Sequence, residues 1–80
     1  MLNEKKLKQV MAVVLKVDAS SINEESSMDN IKTWDSLGHM NLILALEDEF
    51  EIIIPDEDAG NISSYKLIKF VLGELLDGVA

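Results

Sequence analysis

Cysteine and arginine are absent from this chain, and histidine, proline, tryptophan and tyrosine occur once each. Without cysteine there is no disulfide framework and no thiolate zinc site. A single histidine rules out a metal site built from a histidine cluster. Aromatic residues make up only 5% of the chain against 48% hydrophobic residues, so the core must be built mainly from Leu, Ile, Val and Met. This favours packed helices over an aromatic-rich sheet. No long apolar run is present: Val10 to Leu15 is too short for a signal-peptide core and has helical periodicity instead. The expectation is a cytosolic protein that starts at its own Met1. Eighty residues are one small domain, 1–80, with room for one modest core but not for a core plus a walled catalytic cavity.

Positive charge is scarce. The formal net charge is −8, and every positive side chain is lysine. Such a surface repels nucleic acid and anionic lipid, which argues against both as partners and against membrane insertion. The acids are also unevenly placed. Asp35, Glu47, Asp48, Glu49, Glu51, Asp56, Glu57 and Asp58 fall in one segment without a lysine, whereas residues 1–16 hold four lysines and one glutamate. Clustering of this kind implies partners with basic docking surfaces.

Leu7, Val10, Met11 and Val14 recur at helical spacing, and Asn3 is placed to cap a first helix over about residues 4–16. From Val17 to Trp34 the periodicity fails. This is a long loop, in which Ile22, Met28 and Ile31 are spaced as apolar anchors. A second helix is predicted from Ser36 to Phe50 with Asp35 as N-cap. Pro55 ends the run Ile52 to Ile54, which reads as a connection because no second strand signal exists to pair with it. Asp56 to Gly60 makes at most a short helical turn. Ser63 or Ser64 caps a last helix carrying Ile68, Val71, Leu72 and Leu75, with Gly73 inside it.

At about 100° per residue, Leu42, Ile43, Leu46 and Phe50 form the core face of the second helix. Leu37, Met40 and Leu44 fall nearly opposite, beside Glu47, Asp48 and Glu51, where a surface helix normally places polar residues. One reading is that the long loop covers this back face. The other is an exposed docking stripe, in which flexible Met40 adapts to partners and the acids steer basic surfaces toward it.

Seven serines are present, most of them at turn or cap positions. Ser36 differs, because Asp35 can take the capping role and leave the Ser36 hydroxyl free at the first helical turn; spacing alone leaves open that Ser36 is itself the cap. A phosphate ester there would face unpaired backbone N–H groups and the positive end of the helix dipole. No catalytic set surrounds it. His39, the only candidate base, turns toward the core side, and there is no G-x-S-x-G elbow, so a serine hydrolase has little support. Asp56-x-Asp58-x-Gly60 fails as a calcium loop because Leu67 stands where the bidentate glutamate should lie.

Asp35-Ser36-Leu37, the following LILALEDEF and the closing Ile54-Pro55-Asp56-Glu57 together closely resemble the acyl carrier proteins. The resemblance covers nearly the whole chain and is most specific from Trp34 to Asp58. It implies an all-α four-helix bundle with a short third helix and a long loop between helices 1 and 2. It also implies that a phosphopantetheinyl transferase attaches 4'-phosphopantetheine from coenzyme A to Ser36, beside Asp35, as a phosphodiester. The arm's thiol would hold acyl or aminoacyl groups as thioesters for acyl-loading and acyl-processing enzymes. By the same match Leu37, Met40, Leu44, Glu47 and Asp48 would be the partner-recognition positions of a monomeric, non-enzymatic carrier.

Two departures bear on the subtype. Trp34 precedes Asp-Ser-Leu where many fatty-acid carriers have a polar or small residue, and Gly38-His39-Met40-Asn41 replaces a more acidic helix start. Lys32-Thr33-Trp34 also lacks the glycines that peptidyl carriers often show there. The pattern is similar to free-standing carriers of specialised pathways, such as discrete polyketide systems, with fatty-acid synthesis still open. The alternative from a different class is an acidic helical adaptor that docks basic partners through Leu37, Met40 and Leu44 and is never modified.

Overall fold

A computed structural model describes residues 2–77. Four α-helices follow one another in it: α1 (Glu4–Leu15), α2 (Ser36–Phe50), α3 (Asp56–Asn61) and α4 (Tyr65–Leu76), with one 3-10 turn at Ala19–Ser21 inside the long loop. Among the described residues no strand forms, and Ile52 to Ile54 is a connection as expected.

Each long helix begins on a side chain that satisfies an otherwise orphaned backbone donor. Asn3 accepts from the Lys6 amide at 3.1 Å, Asp35 from Gly38 at 2.8 Å and Ser64 from Leu67 at 3.2 Å. The choice between Ser63 and Ser64 therefore falls to Ser64. Both α1 and α2 end on a non-glycine residue in the left-handed region, Lys16 at φ 59° and Glu51 at φ 54°. In both, the amides of the cap and of the residue after it turn back onto a carbonyl of the last turn. Lys16 is thus the cap of α1, so the helix stops one residue short of the span read from periodicity.

The core collects Leu7, Met11 and Leu15 of α1, Leu42 and Leu46 of α2, and Tyr65, Ile68 and Leu72 of α4. Ile22, Ile54 and Ile62 close it from the connections, and Met28 and Ile31 pack against it from the loop. Aliphatic residues dominate, as composition requires. Its two bulkiest members are nonetheless aromatic, Trp34 and Tyr65, each 1% exposed. Burial of Trp34 was invisible to helical periodicity because the residue lies outside every helix.

The long loop is anchored by hydrogen bonds as well as by its apolar pins. Ser27 and Ser64 form an isolated antiparallel bridge, with the Met28 amide donating to the Ser63 carbonyl at 3.0 Å and the Tyr65 amide to Ser26 at 2.9 Å. The Thr33 hydroxyl donates to the carbonyl of Leu15 at the end of α1. On α1, Lys6 donates to the Glu49 carbonyl at 2.8 Å near the end of α2, where a cation suits the helix dipole. These contacts fix the loop's exit, and hence the point where α2 starts.

Candidate functional site

The entry into α2 is built around one close approach. A Cβ added to Gly38 would lie 2.3 Å from the backbone oxygen of Thr33, well inside contact distance. Only glycine lets the loop fold this tightly against the first turn of the helix. The Asp35 carboxylate then closes the turn by accepting the Gly38 amide, while the Asp35 carbonyl accepts His39 N–H at 2.7 Å. Asp35 is the cap, and Ser36 is not. Ser36 stands at the first helical position, exposed, with its hydroxyl in no hydrogen bond among the described residues.

Leu37, Met40 and Leu44 are 69%, 65% and 62% exposed, so neither the loop nor another helix covers this face. Asp48 is exposed further along the same helix, whereas Glu47 is half-buried. Its carboxylate accepts the Ile54 amide at 2.8 Å and so ties the Ile52–Ile54 connection back to α2. Glu47, expected as a recognition residue, therefore also has a structural role through its bond to Ile54. No pattern marks it, because seven positions separate the partners and the connection has no regular structure.

His39 lies on the boundary between core and surface, as its helical phase implied. Its Nδ1 accepts the indole N–H of Trp34 at 2.9 Å, and its Nε2 is 2.7 Å from the carbonyl oxygen of Ala59 in α3. Neither nitrogen is left over to serve as a base for Ser36. Between α2 and α3 lies an open cavity of about 350 Å³, walled by Met40, Ile43, Leu44 and Glu47 on one side and Asp56, Ala59 and Gly60 on the other. Its lining is mostly apolar. Among the described residues no group of His, Asp and Glu is arranged to hold a metal ion, Asp56 and Asp58 included.

Remote from Ser36, Tyr65 donates its hydroxyl to Glu4 at 2.9 Å, and Lys69 pairs with both Glu4 and Glu24. The Tyr65 hydroxyl and then Lys69 hold the Glu4 carboxyl below its ordinary value. Burial, followed by the bond to Glu4, pushes the Tyr65 hydroxyl well above the usual phenol range. This cluster joins α1, the loop and α4 and contributes to the fold.

Comparison with known proteins accords with this geometry. Residues 5–68 match the family model described as a phosphopantetheine attachment site. An acyl carrier protein from Clostridium acetobutylicum is 46% identical over 59 residues, covering 74% of this chain and 77% of the relative. Among solved structures, the holo acyl carrier protein of Geobacter metallireducens superimposes with a TM-score of 0.82 at 26% identity, over 92% of this chain and 85% of that one. A putative acyl carrier protein from Mycobacterium tuberculosis gives 0.78 at 28% identity, over 88% and 93%. Sequence, fold and an exposed serine at the start of α2 thus agree, and the chain belongs to the acyl carrier protein family, whose members are not enzymes but carriers with a covalently attached 4'-phosphopantetheine.

Proposed function

We propose that Ser36 is the attachment point and that the chain, as a single carrier domain over residues 1–80, presents acyl or aminoacyl groups to enzymes of fatty-acid, polyketide or related specialised biosynthesis. The observation that carries this reading is the division of labour at the start of α2. Asp35 caps the helix, so the exposed Ser36 hydroxyl is free to become an ester. A phosphodiester on that oxygen gains from the partial positive charge of the helix start. The neighbouring Asp35 carboxylate is already engaged by the Gly38 amide. The residues present therefore fit the group. Once bound, the arm supplies a terminal thiol that holds its cargo as a thioester.

Membership in the family implies a phosphopantetheinyl transferase and acyl-processing enzymes as partners. Leu37, Met40 and Leu44 form the apolar part of the surface these partners read, and Asp48 together with Glu47 forms its acidic part. An apolar stripe beside carboxylates suits partners with basic rims, where charge guides the encounter and apolar contact holds the complex. The carrier acts as a monomer in the cytoplasm. Peptide mapping after incubation with coenzyme A and a broad transferase tests the site: the arm should be found on the peptide containing Ser36, and an arm on any other serine would refute the assignment. The unmodified adaptor is not favoured, because the family it would have to leave is defined by the attachment itself.

A further inference from the structure

The chain of hydrogen bonds Trp34–His39–Ala59 has no part in the attachment chemistry above, and its atoms fix the state of the imidazole. An indole N–H can only donate, so His39 Nδ1, 2.9 Å away, is an unprotonated acceptor. A carbonyl oxygen can only accept, so Nε2, 2.7 Å from Ala59, carries the proton. Together the two bonds fit the neutral imidazole in its Nε2–H tautomer. Its two partners belong to different parts of the fold: Trp34 is the buried residue immediately before Asp35 and Ser36, and Ala59 lies in α3, across the cavity from Met40 and Leu44.

We propose that neutral His39 is a positioning residue, a latch tying the segment that leads into Ser36 to α3, and that a proton on Nδ1 opens the Trp34 end of it. An imidazolium donates from both nitrogens. Its Nδ1–H would face the indole N–H, two donors with no acceptor between them, whereas the bond from Nε2 to Ala59 would persist with added charge assistance. One proton therefore uncouples Trp34 from α3 and leaves α3 on α2. The charged groups that share the cavity with His39 are Glu47 of the same helix and Asp56 of α3. The consequence for arm transfer rests on the reading of Ser36 given above; the latch itself does not.

The sole histidine and sole tryptophan give single, uncrowded signals in a ¹⁵N-labelled sample of the full chain. Long-range ¹H–¹⁵N spectra at pH 8 should show Nδ1 unprotonated and Nε2 protonated. On titration to pH 5 the Trp34 indole signal should shift with the same midpoint as the His39 ring. In His39→Gln, whose amide offers one acceptor and one donor but does not titrate, the indole signal should stay still. Rates of arm transfer onto wild type should fall relative to His39→Gln below the His39 midpoint. An Nδ1–H tautomer, an average of the two forms or a stationary indole signal in wild type would overturn the latch. Absence of transfer onto wild type at every pH, with the titration intact, would instead remove the reading of Ser36 and leave the latch standing.

Discussion

Asp35 and Gly38 share a carboxylate–amide hydrogen bond of 2.8 Å, and Ser36 lies inside the turn that this bond closes. The cap fixes the backbone on both sides of the serine while making no use of its hydroxyl. Rigid placement and chemical availability of Ser36 therefore have one cause.

Gly38→Ala should damage this arrangement. The new methyl group would meet the Thr33 carbonyl oxygen at 2.3 Å, and backbone, not a pliable side chain, must give way. A loss of roughly 1–3 kcal/mol is expected, with slower arm transfer at Ser36. Gly73→Ala is the matched control. Its methyl group meets nothing within 4 Å in the interior of α4, so it should gain about 0.5–1 kcal/mol. Urea denaturation of the two variants measures both signs, and equal effects would contradict the account of the close approach.

Core and surface faces of α2 should separate cleanly. Leu46 is fully buried, and Leu46→Ala should cost on the order of 2–5 kcal/mol. Met40 is 65% exposed, so Met40→Ala should leave the melting temperature nearly unchanged and weaken transfer to partner enzymes. Unimpaired transfer in Met40→Ala would argue against the apolar stripe as a recognition surface.

The Glu4–Tyr65–Lys69 cluster predicts a pH profile with two flanks. A carboxyl held below its ordinary value stabilises the fold above the unfolded value of 4.5, and that contribution is lost as pH falls below it. A phenol held above its ordinary value of 10.0 stabilises the fold below that pH, and the contribution is lost as pH rises further. Tyr65→Phe should flatten the acid flank and remove the phenol's share of the alkaline one. Melting curves of both proteins across the pH range check this: their difference should be greatest between the flanks. A difference independent of pH would contradict it.

Lys16 caps α1 in the left-handed region, where a side chain is strained and glycine is not. Relief of that strain outweighs the extra freedom glycine gives the unfolded chain, and Lys16→Gly should stabilise by about 1 kcal/mol. Thermal denaturation would show it as a rise in melting temperature; a fall would mean that the Lys16 side chain makes a compensating contact.

Most helix limits and both faces of α2 were legible in the sequence, because caps and periodicity are local signals. Asn3, Asp35 and Ser64 announce helix starts within three residues of the amides they cap. The opening Asp35-Ser36-Leu37 was legible for the same reason, and geometry settled which of its two polar residues is the cap. What escaped was contact across sequence. The Tyr65–Glu4 bond spans 61 positions, the Ser27–Ser64 bridge lies in segments with no strand pattern, and Trp34 is buried from a loop. Trp34 was visible only as an unusual neighbour of Asp35; its indole bond to His39 is a physical reason for it to stand there.

The central claim is that Ser36 carries the arm. Intact-mass spectrometry of the full chain after incubation with coenzyme A and a phosphopantetheinyl transferase tests it most directly, with Ser36→Ala alongside and both shown by circular dichroism to be folded. The account predicts one added phosphopantetheine on wild type and none on Ser36→Ala. A folded wild type that stays unmodified, or an arm added equally to Ser36→Ala, would contradict it.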